Sequence, residues 1–195
     1  DTVFSKPWLS RAYGAYQNLS LSARGIDAFV REYSIPMKDY EPGPFACFND
    51  FFIRKFKPGV MPVVHETKQM AAPAEARYFA YREADGRQEI PVKGQWLTAS
   101  AIFGHVLRSQ PFEGGPVMIA RLCPVDYHRF HFPDDGRVLD QYRVSGKYHS
   151  VNPVALRARA DVLATNERHV TILQTQSFGK LAYIEVGAIC VGRIV

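Results

Sequence analysis

The chain has 195 residues, 47% hydrophobic and 22% charged, with a net charge of +5 and a pI near 9.2. That length and composition suit one globular domain with room for a core. No apolar run approaches the roughly 20 residues of a membrane-spanning helix, and Cys47, Cys123 and Cys190 form neither a disulfide framework nor a zinc ribbon. A reducing compartment is therefore expected. The positive charge permits nucleic acid or an anionic membrane as a partner. Nucleic acid has only that charge behind it, with no stacking platform and no recognised motif. The longest basic grouping, Arg54-Lys55-Phe56-Lys57, reads as a solvated helix face. No signal peptide is visible. The chain starts at Asp1 without Met and stops at Ile194-Val195 within an apolar, strand-like run, so both ends are expected to be trimmed or processed.

Residues 1–33 read as helical. Trp8, Leu9, Ala12, Tyr13 and Tyr16 fall near helical spacing, followed by Leu19 and Leu21. Ser22 is placed as the cap of a second helix carrying Ile26, Phe29, Val30 and Tyr33. Arg11, Arg24 and Arg31 lie among these apolar residues. Such a stripe suits packing on the domain's own core, the commoner outcome, or an anionic membrane surface. Residues 35–47 form a Pro/Gly-rich connector. A short helix is expected over residues 48–56, capped by Asn49 or Asp50, burying Phe52, Ile53 and Phe56, and stopped by Lys57-Pro58-Gly59.

From residue 60 the pattern changes to strands, expected over 78–81, 117–122, 130–132, 138–144, 169–175, 181–186 and 188–195. Asp85-Gly86, Glu113-Gly-Gly-Pro116 and Asp134-Asp-Gly136 separate them. A short helix over residues 98–107 follows Lys93-Gly94. The expected fold is α+β: N-terminal helices followed by a mostly antiparallel β barrel or sandwich. The division falls into a helical segment and connector, 1–47, and a catalytic domain, 48–195.

The densest chemistry lies in Cys123-Pro-Val-Asp-Tyr-His-Arg-Phe-His-Phe-Pro133, which holds Asp126, Tyr127, His128 and His131 within six residues. Two imidazoles beside a carboxylate and a phenol are an unusual local supply of acid–base groups. On a regular strand positions i and i+3 face opposite sides, whereas on one helical turn they share a side. Pro124 suits the first position of such a turn. The expectation is a tight turn over residues 124–129, followed by strand re-entry, aiming both histidines into one cleft. Packing or surface placement is the ordinary fate of histidines among aromatics. A zinc site is not expected, because the helical His-Glu-x-x-His pattern is missing and the cysteines are scattered.

These stretches carry a resemblance. Phe48-Asn-Asp-Phe-Phe-Ile-Arg-Lys-Phe-Lys-Pro-Gly59, Ala72-Pro-Ala-Glu-Ala-Arg77, Val92-Lys-Gly-Gln95, Arg121-Leu-Cys-Pro-Val-Asp-Tyr-His-Arg-Phe-His-Phe-Pro133, Ser150-Val-Asn-Pro153, Asn166-Glu-Arg168 and Glu185-Val-Gly-Ala188 with Val191-Gly192 occur in this order. The chain resembles the large β subunit of the pyruvoyl-dependent phosphatidylserine decarboxylases over residues 48–195. The resemblance implies a self-cleaving proenzyme. A serine in a Gly-Ser motif attacks the preceding carbonyl, the ester undergoes β-elimination, and the new N-terminus of a small α chain becomes a pyruvoyl group. That ketone takes up the substrate amine and drains electrons as CO₂ departs. No Gly-Ser dipeptide occurs in the 195 residues, so the motif is expected beyond Val195, with the pyruvoyl group on the α chain.

By the same resemblance, His131 is the base for self-cleavage and Glu75 its orienting carboxylate, one methylene longer than the family's Asp. His128 assists decarboxylation, orienting the substrate carboxylate or supplying a proton. Tyr127 donates to the same site or packs in the core, and Asp126 caps the turn. Ser150, Val151 and Asn152 match a substrate-side loop, although Asn-Pro is also a plain turn signal, and His149 adjoins it. Asn166, Glu167 and Arg168 are assigned structure. His65, His105 and His169 are expected at the surface or in loops. The implied product is phosphatidylethanolamine, made by a homodimer of αβ units bound peripherally at the cytoplasmic face of the cell membrane. The rival functions are decarboxylation of a free amino acid and a non-enzymatic lipid-binding role.

Overall fold

The computed structural model describes residues 7–61, 66, 68–82, 98–158, 161–189 and 191. In chain order it contains α1 (Pro7–Gln17), a 3-10 turn (Ser20–Gly25), α2 (Ile26–Tyr33), α3 (Phe48–Phe52), β1 (Arg77–Tyr81), α4 (Ala99–Phe103), α5 (Val106–Ser109), β2 (Val117–Arg121), β3 (Gly136–Val144), α6 (Pro153–Ala158), α7 (Val162–Thr165), β4 (Arg168–Thr175) and β5 (Lys180–Val186). β1 and β2 form a two-stranded sheet, and β3, β4 and β5 a three-stranded one with β4 central. The fold mixes helices with antiparallel pairing, and among the described residues no barrel closes.

Several expectations meet a different local structure. Residues 130–132 are not a strand. Of the expected strand over 188–195, the described part forms only a bridge between Ala188 and Val191. The rest of that strand, with Cys190, Asp85-Gly86, Val92-Lys-Gly-Gln95 and His65, lies outside the described residues. Ser22 does not cap α2, whose N-cap is Gly25. Instead the Ser22 hydroxyl lies 2.7 Å from the Leu19 carbonyl and accepts the Phe48 N–H at 2.9 Å. Neither Asn49 nor Asp50 caps α3. Asp50 accepts the Ala46 N–H at 2.9 Å, and Asn49 donates to the Gly14 carbonyl at 3.2 Å. The buried face of α3 is Phe51, while Ile53 is 46% exposed.

The contacts divide the chain into two units. One comprises residues 1–11, 78–119 and 136–195, the other residues 12–77 and 120–135. In the first, side chains of β4 alternate between two faces. Val170 and Ile172 pack on Ala99 and Phe103 of α4, with Tyr142, Val144, Ala182 and Ile184 around them. Burying such a side chain contributes about 1.5–3 kcal/mol. Thr98 caps α4 by accepting the Ala101 N–H at 3.2 Å, and Gly104 ends it at φ +64°. The other face carries a row in register, Arg143, His169 and Glu185, one residue from each strand. Burial pushes the Glu185 carboxyl up to about 7.

In the second unit Ile35, Tyr40 and Phe51 form the core, joined by Phe29, Phe45, Phe48, Phe56, Val125 and Tyr127. Tyr40 and Phe56 are bridge partners with rings stacked 4.7 Å apart. Arg54 sits within this cluster at 2% exposure, so the solvated-face expectation fails for that residue. Several large apolar residues of α1 and the following turn face solvent among the described residues. Trp8, Tyr13, Tyr16, Leu19 and Leu21 are 42–58% exposed.

The Glu185 environment predicts a pH effect. A carboxyl held near 7 in the folded chain and near 4.5 when unfolded weakens the fold as pH rises through that window. Denaturant titrations should show Glu185→Gln raising the midpoint at pH 8 and leaving it nearly unchanged at pH 4.5. An equal shift at both values would contradict this environment.

Candidate active site

The acid–base cluster begins at a turn. The Asp126 N–H donates to the Cys123 carbonyl at 2.9 Å, and the Asp126 carboxylate accepts the Cys123 N–H at 2.6 Å. Asp126 is thereby used in closing the turn and is 8% exposed. Arg54 Nη2 donates to the Val125 carbonyl at 2.7 Å. The same guanidinium lies 4.2 Å from the centre of the Tyr40 ring and 4.9 Å from that of Phe51. The ring faces supply negative potential to a cation that is out of water.

The turn ends at Asp126, and residues 127–132 run without regular secondary structure. The expected helical turn over 124–129 is not formed, for a physical reason. This run lies antiparallel to residues 71–75. The Ala71 N–H donates to the Pro133 carbonyl at 3.3 Å, the His131 N–H to the Pro73 carbonyl at 2.9 Å, and the Tyr127 N–H to Glu75 Oε2 at 2.7 Å. A helix would withdraw those backbone donors from their partners.

Along this run each candidate has its own surroundings. The His128 ring packs 3.9 Å from the Phe52 ring, and its Nδ1 lies 2.8 Å from the Asp126 carbonyl oxygen. A carbonyl can only accept, so Nδ1 carries the proton and Nε2 of the neutral ring keeps its lone pair. Burial lowers the His128 pKa below the usual imidazole value. The Asp126 carbonyl opposes that shift, and the Arg54 charge adds to it. His131 Nε2 is buried and makes no hydrogen bond among the described residues. Glu75 and His131 share one backbone pairing, but no hydrogen bond joins their side chains among the described residues. Tyr127 packs its ring 4.4 Å from Phe56. Arg129 Nε donates to the Ile53 carbonyl at 2.6 Å, tying the run to the end of α3.

The remaining candidates belong to the other unit. Asn152 Oδ1 accepts the Ala155 N–H at 2.7 Å, so Asn152-Pro153 opens α6 as cap and first residue. The Ser150 hydroxyl accepts the Asn152 N–H at 3.3 Å, with Val151 between them. His149 is gripped through its backbone. Its N–H donates to Asn166 Oδ1 and its carbonyl accepts from Asn166 Nδ2, both at 2.9 Å. Asn166 Nδ2 also donates to the Gly187 carbonyl at 2.8 Å. Glu167 accepts from the Tyr148 hydroxyl at 2.6 Å and pairs with Arg143. Burial acts to raise the Glu167 pKa, but those two partners outweigh it and leave it below the usual carboxylate value. Arg168 Nε and Nη1 donate to backbone carbonyls of Ile102, Ala164 and Asn166.

Sequence reasoning missed Arg54 as a buried holder of the turn. Its signal was the aromatic density around it, with Phe51, Phe52 and Phe56 all within three residues. A test of the His128 environment follows. A histidine whose folded pKa is depressed binds protons more readily when unfolded, so stability falls as pH drops below about 6.5. His128→Gln should flatten the pH 7 to 5 slope of the denaturation midpoint. An unchanged slope would contradict the assignment.

Comparison with known proteins converges on one family. The phosphatidylserine decarboxylase family model matches residues 48–195. The phosphatidylserine decarboxylase proenzyme of Clostridium novyi is 34% identical over 197 aligned residues, covering 100% of this chain and 67% of that protein. The proenzymes of Clostridium perfringens and Clostridium tetani are each 36% identical, covering all of this chain and 67% and 66% of their own lengths.

Proposed function

Because the chain belongs to the phosphatidylserine decarboxylase family, we propose that it is the larger part of a self-cleaving, pyruvoyl-dependent enzyme that converts phosphatidylserine to phosphatidylethanolamine and CO₂. It spans about two thirds of the length of its curated relatives, which are proenzymes. The observation that carries the reading is the state of the two histidines on one anchored run. His131 Nε2 is buried with no hydrogen bond among the described residues, and His128 is held neutral by burial with Nδ1 toward a carbonyl. A ring nitrogen with no other partner fits a site that receives its reacting group from another segment. When present on a partner α chain, the pyruvoyl group supplies the electrophilic carbonyl and electron sink that no unmodified side chain offers.

Each residue then has a task. His131 Nε2 takes the proton of the attacking serine hydroxyl during self-cleavage. Glu75 holds the run carrying His131 through the Tyr127 N–H, at the position of the family's orienting carboxylate. His128 Nε2 takes up a proton and delivers it to the carbon from which CO₂ has left. Its lowered pKa makes the protonated ring a stronger acid for that delivery. Ser150, Val151 and Asn152 serve the substrate side, with His149 fixed beside them by Asn166. Tyr127 contributes packing and its backbone donor.

The lipid substrate also calls for an interface. Trp8, Tyr13, Tyr16, Leu19 and Leu21 are exposed, and so are Arg11, Arg24 and Arg31. Apolar side chains with basic neighbours suit peripheral docking on anionic lipid. No helix among the described residues is long and apolar enough to cross a membrane.

Two experiments separate these parts. In the full-length protein, His131→Ala should leave the proenzyme uncleaved, whereas His128→Ala should cleave and lose about 10²- to 10⁴-fold of its decarboxylation rate. Normal cleavage in His131→Ala would refute the base assignment, and a fully active His128→Ala would refute the proton role. In sedimentation with liposomes, binding should require anionic lipid, weaken with salt and drop when Trp8 and Tyr16 are both replaced by Ser. Salt-insensitive or absent binding would remove the docking role.

A further inference from the structure

Two arginines from distant parts of the chain converge on one sulfur. Arg77 opens β1 and Arg121 ends β2. Arg77 Nη1 lies 2.7 Å and Arg121 Nη1 3.1 Å from Cys123 Sγ. The two guanidiniums are therefore within about 6 Å of each other, where like charges repel. A thiol is a weak acceptor and answers neither charge. Asp126 Oδ2 is 3.8 Å from Arg77 Nη1, and that same oxygen already accepts the Cys123 N–H at 2.6 Å. The cluster is also open to solvent. The Arg77 side chain is 62% exposed, and Arg121 and Cys123 are partly exposed. Arg54, by contrast, is buried and held by ring faces and a carbonyl.

The cluster sits on the turn that leads into His128. The Asp126 N–H donates to the Cys123 carbonyl at 2.9 Å, and His128 Nδ1 lies 2.8 Å from the Asp126 carbonyl oxygen. Asp126 thus touches the arginine side through its carboxylate and the imidazole side through its backbone. All of these residues belong to the second unit. In a phosphatidylserine headgroup, only an ester oxygen and a methylene separate the phosphorus from the carbon that bears the carboxylate. A cation pair one turn away from an acid–base imidazole suits a ligand built that way.

We propose that Arg77 and Arg121 bind the phosphodiester of a phospholipid headgroup, the anion replacing the Cys123 thiol as acceptor of their N–H groups. Guanidinium forks match phosphate oxygens, and charge-assisted hydrogen bonds to an anion are stronger than bonds to a thiol. A free amino acid carries no such group, so the pair selects the phospholipid over it. That selecting role rests on the proposed decarboxylation, whereas the anion site itself does not.

The test uses the full-length protein and glycerophosphoethanolamine, which carries the phosphodiester and the amine but no carboxylate to lose. Binding is followed through the phosphorus NMR signal, and a saturable response is expected. Arg77→Gln, at an exposed side chain, and Arg121→Gln should each weaken it about tenfold. Arg77→Lys keeps the charge without the fork and should recover part of the loss. Ethanolamine lacks the phosphate and should respond alike in the wild type and the variants. Absence of saturable binding by the wild type, or binding unaltered in both Gln variants, overturns the proposal. So does an equal weakening of ethanolamine binding, which would report a distorted site. Inorganic phosphate binding as tightly, with the same dependence on the arginines, would assign the pair to a free phosphate and overturn the lipid assignment. Arginine-dependent binding in a protein that releases no CO₂ from phosphatidylserine would refute the reaction and leave the anion site standing.

Discussion

A guanidinium taken out of water sets the geometry of the candidate site. Arg54 is 2% exposed, and no carboxylate pairs with it among the described residues. A charge in that position is expensive unless its surroundings answer it. Here the answer is the faces of Tyr40 and Phe51 and the carbonyl of Val125. Because Val125 lies in the turn closed by Asp126, the demand of the cation for a partner fixes the turn. Arg54 also helps keep His128 neutral. Burial is the larger cause of that neutrality, and the Arg54 charge adds to it.

A second constraint acts through the backbone. Prolines at 124 and 133 bound the run that carries both histidines; Pro73 and Glu75 accept the His131 and Tyr127 N–H groups, and Ala71 donates to the Pro133 carbonyl. Glu75 is therefore coupled to the histidine run through the Tyr127 N–H. The Glu75 carboxylate accepts the Tyr127 N–H at 2.7 Å. In the other unit a similar economy operates. Asn166 spends its whole side chain on the backbone of His149 and Gly187, and Glu167 spends its own on Tyr148 and Arg143.

The strands were legible because β-period alternation and turn residues are local signals, and β3, β4 and β5 appear within a few residues of their expected bounds. What failed depended on distant partners. Ser22 had the chemistry of a cap but is claimed by Phe48, 26 residues away. Arg54 had the look of a surface charge, and only the fold brings Val125 to it across 71 residues. The turn carrying the histidines was read as helical because spacing reveals which positions can share a face, while the pairing with residues 71–75 decided the backbone. The candidate residues themselves were found through the density of acid–base groups and the family resemblance. Their partners came only from three-dimensional contacts.

The central claim is that this anchored histidine run serves a pyruvoyl-dependent decarboxylase that matures by self-cleavage with Glu75 in the carboxylate position. The most direct measurement is intact mass spectrometry of the purified full-length protein, before and after borohydride reduction in the presence of phosphatidylserine. The account predicts two chains, with the smaller one blocked at its N-terminus by a pyruvoyl group and gaining the mass of the substrate amine on reduction. A single uncleaved polypeptide with no adduct would contradict it.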